Sequence, residues 1–378
     1  MKRWPTMPLL EVATIVASRV EPFEGQRRYI ATGGLDGGTV IARDEVDFDS
    51  KPSRADLVAR RNDVLFARMQ ATNKVFLVTE ESQNYIWSTG FAVLRPNANL
   101  CSRFLMHYLA SPCFQAAKDV HCTGATQKSL PNAGLRQLAI PVPPLAEQER
   151  IVKLLDEADE LRKLRAQADH RTAALLPALF HEMFGDPLVN SRGWQTKELR
   201  QLGRVVTGGT PPSAKEGMFG GEIPFITPGD LESNTRETMR HVTEAGAEEA
   251  RTMRAGSTLV CCIGATIGKT DRAWKRSAFN QQINAVEWGE EIEDDFGVVC
   301  MKQSSKAVIR QGSQTALPIL KKSLFEQIRI PIPPLPLQKE FARRVAEIRA
   351  LEAGQAASRQ RLEALFQSLL HRAFNGEL

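Results

Sequence analysis

One stretch of the sequence occurs twice, and this duplication limits the possible folds more than any other feature. It reads IPVPPLAEQERI at Ile140–Ile151 and IPIPPLPLQKEF at Ile330–Phe341, at an offset of 190 residues. Each copy leads without a gap into a helical pattern that ends near a glycine, in FGD at 184–186 and in FNG at 374–376. Since a glycine after the last apolar position commonly ends a helix, the sequence predicts two equivalent long helices.

The segments before the two junctions also match each other. YIATGGLD (29–36) resembles FITPGDLE (225–232), and LRQLAIPVPPL (135–145) resembles FEQIRIPIPPL (325–335). Strand-like runs such as KVFLV and INAVEW lie between turn residues, and helical patches are interspersed, which is typical of an α+β fold with mixed α/β domains. The predicted order is a first globular domain at 1–145, a first spacer helix at 146–185, a second globular domain at 186–335 and a second spacer helix at 336–378.

The apolar residues of both helices follow the three–four spacing of a coiled-coil seam. An antiparallel pair of helices would bury both stripes and would relate the globular domains by a pseudo-twofold internal repeat. The alternative is that each helix packs only on its own domain. Pro177 lies inside the first helix, where we expect a kink or a break. The residues predicted to pack between the helices are Ile151, Leu154, Leu161, Leu175, Leu179, Ile348, Leu351, Leu362, Leu365 and Leu369.

Composition indicates a globular protein rather than a membrane protein. The chain has 42% apolar and 25% charged residues, with a net charge of +5. Because the N-terminus has no clear signal-peptide pattern, we expect a cytoplasmic protein. The six cysteines include no C-x-x-C pair and are interpreted as buried free thiols rather than as a metal site. Cys261 and Cys262 are expected to point to opposite faces of one strand.

The sequence shows no convincing catalytic or metal-binding motif. GATIGKT at 264–270 has three residues between its glycines, whereas a phosphate-binding loop needs four, so we interpret it as a tight turn between strands. No amino-methyltransferase motif, cofactor fingerprint or nuclease site is evident. The acidic run EEIEDD at 290–295 is interpreted as a solvated loop. The sequence therefore predicts no catalytic residue, no metal site and no bound cofactor.

Basic residues instead recur at matching places in the two repeats, within 51–74 and within 251–276. Lys and Arg neutralise DNA phosphates, and polar loop side chains can reach base edges. Double-stranded DNA is therefore the expected ligand, although ordinary surface charge is the alternative. The residues expected to contact DNA are Arg27, Arg28, Arg60, Arg61, Arg68, Gln70, Asn73, Lys74, Gln127 and Lys128 in the first domain, and Thr210, Ser213, Lys215, Asn234, Arg236, Arg254, Lys269, Arg272, Lys275, Gln281, Gln282 and Gln314 in the second.

The order of these motifs resembles the specificity subunit (HsdS) of type I restriction–modification systems. The resemblance covers essentially the whole chain. It rests on the two Pro-Pro-Leu junctions, each with a Gln three residues later, and on the Phe-Gly and Phe-Asn-Gly helix ends. GGTP at 208–211, ITPGDL at 226–231 and FNQQINAV at 279–286 add to it. The first domain departs from the pattern because it lacks G-x-T-P.

The resemblance implies that each globular domain is a target recognition domain reading one half of a bipartite DNA sequence, with the gap set by the helix pair. It also implies a non-catalytic subunit that directs methylation and restriction by two modification (DNA adenine methyltransferase) subunits and by restriction subunits. S-adenosylmethionine, ATP and Mg would then be bound by the partner subunits. The other hypotheses are a coiled-coil scaffold with protein- or RNA-binding domains and a free-standing DNA-modifying enzyme with divergent motifs.

Overall fold

The structure, a computed structural model, describes residues 4–232, 235–311 and 318–378. The chain forms two compact units: unit 1 comprises Met1–Ala166 with Ala357–Leu378, and unit 2 comprises Gln167–Ala356. Each unit therefore combines one globular region with the beginning of one long helix and the end of the other. In the described part of the chain, no helix is long and apolar enough to cross a membrane.

Unit 1 consists mostly of short strands, with two helices packed beside them and the first long helix following. The strands are β1 (Thr6–Pro8), β2 (Ala13–Ile15), β3 (Arg27–Ile30), β4 (Leu35–Asp36), β5 (Thr39–Val40), β6 (Asp44–Val46), β7 (Ala55–Leu57), β8 (Val64–Ala67), β9 (Val75–Leu77), β10 (Ile86–Ser88), β11 (Phe91–Pro96) and β12 (Ala139–Pro141). The helices are α1 (Leu9–Val12), α2 (Ser102–Ala110), α3 (Pro112–Val120), α4 (Asn132–Leu135) and the long α5 (Leu145–Ala173), which continues into unit 2.

Unit 2 repeats this succession of elements. Its helices are α6 (Leu175–Phe184), α7 (Leu199–Leu202), α8 (Glu244–Ala250), α9 (Asp294–Gln303), α10 (Ser305–Gln311), α11 (Lys322–Phe325) and the long α12 (Leu335–Asn375), which continues into unit 1. Its strands are β13 (Thr196–Glu198), β14 (Gly203–Thr207), β15 (Phe219–Ile226), β16 (His241–Val242), β17 (Thr252–Met253), β18 (Thr258–Cys261), β19 (Thr270–Arg272), β20 (Ser277–Phe279), β21 (Ile283–Trp288) and β22 (Arg329–Pro331).

The two units share one sheet topology. Unit 1 has sheets of order β6-β3-β10-β7 and β2-β11-β8-β9, and unit 2 has sheets of order β16-β15-β20-β17 and β14-β21-β18-β19. In each unit one central pair is parallel, β3 with β10 and β15 with β20, while the other pairs are antiparallel. These strands correspond one to one, which confirms the predicted internal repeat of a mixed α/β domain, while the β4–β5 pair of unit 1 has no counterpart among the described residues of unit 2.

Each Pro-Pro junction connects a short strand to a long helix. β12 pairs with β1, with Met7 opposite Ile140, and β22 pairs with β13, with Lys197 opposite Ile330. Both strands end at a proline, which has no backbone N–H to continue the ladder. Four residues after that proline the helix begins, at Leu145 in the first copy.

The glutamine of each junction is fully buried and fixes the start of its helix. Gln148 donates to the carbonyl oxygens of Pro143 and Asn99 at 2.8 and 2.9 Å and accepts from the backbone N–H of Cys101 at 2.8 Å. Gln338 makes the same three kinds of bond, to the carbonyl oxygens of Pro333 and Glu291 and from the N–H of Glu293. The shared Gln is therefore a structural residue of the junction.

Within unit 1 the end of α12 packs against the beginning of α5. Leu370 shares a buried core with Leu155. Further along α5, the Arg162 guanidinium lies 2.8 Å from the Glu363 carboxylate and 4.3 Å from the centre of the Phe366 ring. From Leu155 to Arg162 along α5, the contacts on α12 move back from Leu370 to Glu363. The two helices therefore run antiparallel in unit 1.

Within unit 2 the same arrangement holds between the end of the first helical stretch and the beginning of α12. The rings of Phe180 and Phe184 lie 5.7 and 5.3 Å from the ring of Phe341. Gln355 donates to the Thr172 hydroxyl at 2.9 Å. In each unit the helices therefore form an antiparallel pair, as the sequence predicted.

The seam between the helices is narrower than the sequence predicted. Among the predicted packing residues, Leu161, Leu175, Leu351 and Leu365 are 51%, 44%, 47% and 48% exposed, so they do not pack in the seam. An apolar stripe at three–four spacing is wider than the contact line between two helices, which leaves one edge of it in solvent. The other predicted packing residues are buried or half-buried, and these are Ile151, Leu154, Leu179, Ile348, Leu362 and Leu369.

The predicted interruption at Pro177 is confirmed. α5 ends at Ala173 and α6 begins at Leu175, which places Pro177 in the first turn of α6, where a missing N–H removes no helical hydrogen bond. The equivalent position in the second copy is Gln367, and α12 runs unbroken through it. The helix ends also agree with the prediction, since Gly185 caps α6 with a φ of 78°.

Two smaller interpretations have different outcomes. Cys261 and Cys262 lie in separate hydrophobic cores, as expected for neighbours on one strand. Of the six cysteines interpreted as buried, Cys101 and Cys122 are only half-buried and Cys113 is exposed. The acidic run at 290–295 is a solvated loop only in its first part, because Glu290 and Glu291 are exposed, whereas Glu293–Asp295 belong to the start of α9. Carboxylates favour helix N-termini, and Glu293 caps α9, while Asp295 lies 2.6 Å from the Arg349 guanidinium.

Candidate nucleic-acid interface

A cleft of about 380 Å³ in unit 1 is lined by four arginines, and we call it basic cleft 1. The arginines are Arg19, Arg27, Arg60 and Arg95, with one glutamate among the other lining residues. Arg95 is held in place by two 2.8 Å hydrogen bonds to the buried carboxylate of Asp63. Arg19, Arg27 and Arg60 are exposed. The cleft can therefore bind anionic groups.

Unit 2 has a second such cleft of about 600 Å³, which we call basic cleft 2. It is lined by Arg204, Arg251, Arg276 and Lys322, also with one glutamate. Arg251 donates to the carbonyl oxygen of Thr207 at 2.7 Å, which orients its guanidinium across the cleft. Arg204, Arg276 and Lys322 are also paired with Glu287, Glu244 and Glu326, so the charge available to a polyanion such as a nucleic acid backbone is carried chiefly by Arg251.

The two basic clefts lie at equivalent places in the fold. Basic cleft 1 lies beside the residues that follow β2 and β7, namely Ser18 and Val58. Basic cleft 2 is lined by Thr207 of β14 and Thr252 of β17, and β14 and β17 occupy the sheet positions of β2 and β7. Segments far apart in the chain meet here, so charge clustering along the sequence could not find every member. The basic cleft residues missing from the predicted contact residues are Arg19, Arg95, Arg204, Arg251, Arg276 and Lys322, although Arg251 and Arg276 lie within the basic stretch 251–276.

A third cleft of about 470 Å³ lies in unit 1, and we call it the loop cleft. Its walls are Met69–Thr72 of the loop Met69–Asn73, which connects β8 to β9, the segment 125–128, and Asp119 of α3. Gln70 donates its backbone N–H to the carbonyl oxygen of Lys128 at 3.0 Å, and the side-chain amide of Gln127 lies 2.9 Å from the sulfur of Met69. Gln70, Gln127 and Lys128, all predicted to contact DNA, thus lie together with exposed polar side chains.

Other predicted contact residues of unit 1 have structural partners. Arg68 donates to the carbonyl oxygens of Phe91 and Leu130, and its burial lowers its pKa. Arg28 is bound by Glu45, Glu81 and Tyr85, and Asn73 donates to the carbonyl oxygen of Ala110. The remaining two are Lys74, which donates to the carbonyl oxygen of Thr32, and Arg61, which lies 3.7 Å from Glu80.

In unit 2 the predicted residues do not form one group. Thr210 and Gln281 are hydrogen-bonded to each other, and Arg236 stacks 3.8 Å above the Trp274 ring. Arg254 binds Asp294, and the remaining predicted contact residues described in unit 2 either have an acidic partner or lie apart from one another. Arg272 pairs with Asp295 and Lys215 with Glu249, Ser213 and Lys275 are exposed, and Lys269 and Gln282 are half-buried. Asn234 and Gln314 lie outside the described residues.

The glycine-rich segment GATIGKT connects β18 to β19, as the interpretation of a turn between strands requires. Gly264 and Gly268 both have positive φ values, 87° and 90°. It is the counterpart of the Met69–Asn73 loop, because β18 and β19 occupy the positions of β8 and β9.

A family model for the type I restriction–modification DNA specificity domain matches the chain twice, at residues 2–169 and 191–362. The two matches cover both repeats and most of the chain. The chain belongs to this family of type I specificity subunits.

Two type I specificity subunits are similar to this chain over most of their own length. The chain is 22% identical to the HindI specificity subunit of Haemophilus influenzae, covering 93% of this chain and 94% of the relative. It is 23% identical to the putative MjaX specificity subunit of Methanocaldococcus jannaschii, covering 84% and 78%.

Solved structures share the fold of this type I specificity subunit. A chain from a study of complex assembly and conformational transition of the type I R-M system superposes with a TM-score of 0.68 at 23% identity, covering 100% of this chain and 99% of that one. The S subunit from M. genitalium superposes with a TM-score of 0.60 at 16% identity, covering 98% and 96%. The fold predicted from the sequence is thus also found in solved structures.

Proposed function

We propose that this specificity subunit recognises a bipartite DNA sequence, with each unit reading one half. The observation that carries the proposal is the pair of basic clefts at equivalent positions in a duplicated fold. Arg60 in basic cleft 1 and Arg251 in basic cleft 2 would bind backbone phosphates, which fixes position without reading sequence. The exposed polar residues of the loop cleft would read base edges in unit 1.

The long helices would set the gap between the two half-sites and would bind the partner subunits. Four half-exposed leucines support the second role, because Leu161 and Leu351 are equivalent at an offset of 190, as are Leu175 and Leu365. Unit 1 presents Leu161 and Leu365, and unit 2 presents Leu175 and Leu351. Two equivalent apolar faces fit two copies of one modification subunit.

Catalysis would then belong to the partners. In this proposal the chain itself carries no catalytic residue, while the modification subunits bind S-adenosylmethionine and the restriction subunits use ATP and Mg. The similar chain from a study of complex assembly of the type I R-M system supports only the part of the proposal in which this chain works together with partner subunits.

The proposal is tested by exchanging residues 186–329 for the corresponding segment of another specificity subunit. Methylated positions are then mapped genome-wide in cells that carry the modification subunit with the original or the exchanged chain. We expect one half of the methylated sequence to change and the other half to stay the same, because each unit has its own cores and its own clefts.

Two outcomes would contradict the proposal. A change in both halves would show that the units do not read independently. Methylation that is unaffected by loss of the chain would favour the alternative, a coiled-coil scaffold whose domains bind protein or RNA.

A further inference from the structure

Lys118 of α3 is fully buried beneath the loop Met69–Asn73. Its ammonium group donates to the carbonyl oxygens of Met69 and Thr72 at 3.0 and 2.8 Å and to the side-chain oxygen of Gln115 at 2.7 Å. All three donors of the ammonium are therefore used, two of them on a single loop. Lysine is seldom fully buried, because removing its charge from water costs free energy unless hydrogen bonds offset it.

Asp119, the residue after Lys118, holds the tip of the same loop. The backbone N–H of Ala71 donates to both carboxylate oxygens of Asp119, at 3.1 and 3.0 Å. Ala71 has a φ of +53°, which alanine adopts only at a cost of about 1–2 kcal/mol. The Asp119 hydrogen bonds offset that cost and select this conformation. Lys118 and Asp119 together fix the backbone at Met69, Ala71 and Thr72.

The loop that these residues fix forms one wall of the loop cleft. Gln70 projects from it with an exposed side chain, opposite the exposed Gln127 and Lys128. Glutamine amides pair with the adenine edge in the major groove, and lysine binds the guanine edge. Such pairing requires side chains placed to within about 0.5 Å, which a mobile loop does not achieve.

Unit 2 builds the equivalent loop differently. There Gly264 and Gly268 adopt positive φ values without a side-chain penalty, and the half-exposed Ile309 lies beside Gly268. Among the described residues of unit 2, no fully buried lysine holds this loop, as Lys118 does in unit 1.

We propose that Lys118 and Asp119 are positioning residues that hold Met69–Asn73 as the base-reading loop of unit 1. This inference rests on the proposed function. The two residues act through the loop backbone and set the specificity of one half-site only.

The test selects bound duplexes from a randomised double-stranded DNA library with the full chain and with its variants. For Asp119→Ala and for Lys118→Met, we expect base discrimination in one half-site to fall about tenfold or more, and discrimination in the other half-site to stay as in the wild type. Glu157→Ala, an exposed change on α5, is the matched control and should leave both halves unchanged.

A rescue variant separates positioning from general stability. Glycine adopts the Ala71 conformation without help, so Ala71→Gly combined with Asp119→Ala should regain part of the lost discrimination. Asp119 lies partly at the surface, so its variant is informative even if Lys118→Met does not fold. Unchanged discrimination in Asp119→Ala, or an equal loss in both half-sites, would overturn the inference. If the wild-type chain selects no sequence at all, the proposed function itself fails.

Discussion

At the scale of single residues, Gln148 and Gln338 explain why the Pro-Pro-Leu junction is followed by a glutamine. Each side chain joins three backbone groups that belong to two different elements, the junction itself and the segment entering α2 or α9. An amide is suited to this task because it donates two hydrogen bonds and accepts others. Glutamate could not donate, and alanine could do neither.

Replacing either glutamine should therefore destabilise one unit. For Gln148→Ala we expect a loss of about 1–3 kcal/mol in the free energy of unfolding of unit 1, because partly buried backbone groups lose their partners. Urea unfolding followed by hydrogen exchange of peptides from each unit measures it. Gln137→Ala, at an exposed position in the same unit, should change stability by less than about 0.5 kcal/mol. Equal unfolding of the two variants would show that the buried bonds contribute nothing.

At the scale of elements, each globular region is also tied to its own long helix by an ion pair. Arg103 of α2 lies 2.8 Å from Asp156 of α5, and Asp295 of α9 lies 2.6 Å from Arg349 of α12. The charges are exchanged between the two units, and the contact lies three residues further along the second helix, since Arg349 corresponds to Asp159 at the offset of 190. Burial by itself would raise the pKa of Asp156. Hydrogen bonds from His107 and Arg103 outweigh that effect, so the pKa of Asp156 lies below its ordinary value.

The other face of the long helices carries the exposed leucines, and this face leads to a prediction about assembly. In the proposed complex with two modification subunits, changing Leu161 and Leu365 to Glu should remove one of them, because a charge placed in an apolar interface is costly. The same change at Leu175 and Leu351 should remove the other. Native mass spectrometry of the reconstituted complex counts the subunits.

The control for this prediction is Gln360→Glu, an exposed position on another side of α12, which should leave two subunits bound. If the doubly substituted proteins still bind two modification subunits, the partners bind elsewhere on the chain.

At the scale of the whole molecule, both long helices run from one unit into the other, so their length should determine the gap between half-sites. Deleting the equivalent segments 164–167 and 354–357 shortens each helix by about 6 Å at 1.5 Å per residue. Since base pairs are about 3.4 Å apart, we expect the gap to shorten by about one to two base pairs while both half-sites stay the same.

Genome-wide methylation mapping measures this gap directly. A chain with alanine at the same eight positions loses the same side chains, including that of Gln355, but keeps the helix length. This control should therefore retain the original gap. The same gap in the shortened and the alanine-substituted chains would mean that the helices do not act as a ruler.

Much of the architecture was predictable because it depends on patterns that are local in sequence. The repeat, the strand end at each proline, the helix stop at Gly185 and the break near Pro177 follow from backbone chemistry that only a few neighbouring residues decide. The face of each helix that meets its partner was less predictable. Leu154 and Leu155 both fit the apolar stripe, and only the neighbours in the fold bury Leu155 completely.

The sequence by itself determined that this protein has two equivalent globular domains, each followed by a long helix. The tertiary structure alone decided which charges lie together. Arg19 and Arg95 are 76 residues apart in the chain and share one cleft, while Arg254, predicted to contact DNA, is bound to Asp294. The reason is physical: backbone preferences act over a few residues, whereas a binding cleft or an ion pair depends on distances that exist only after the sheets have assembled.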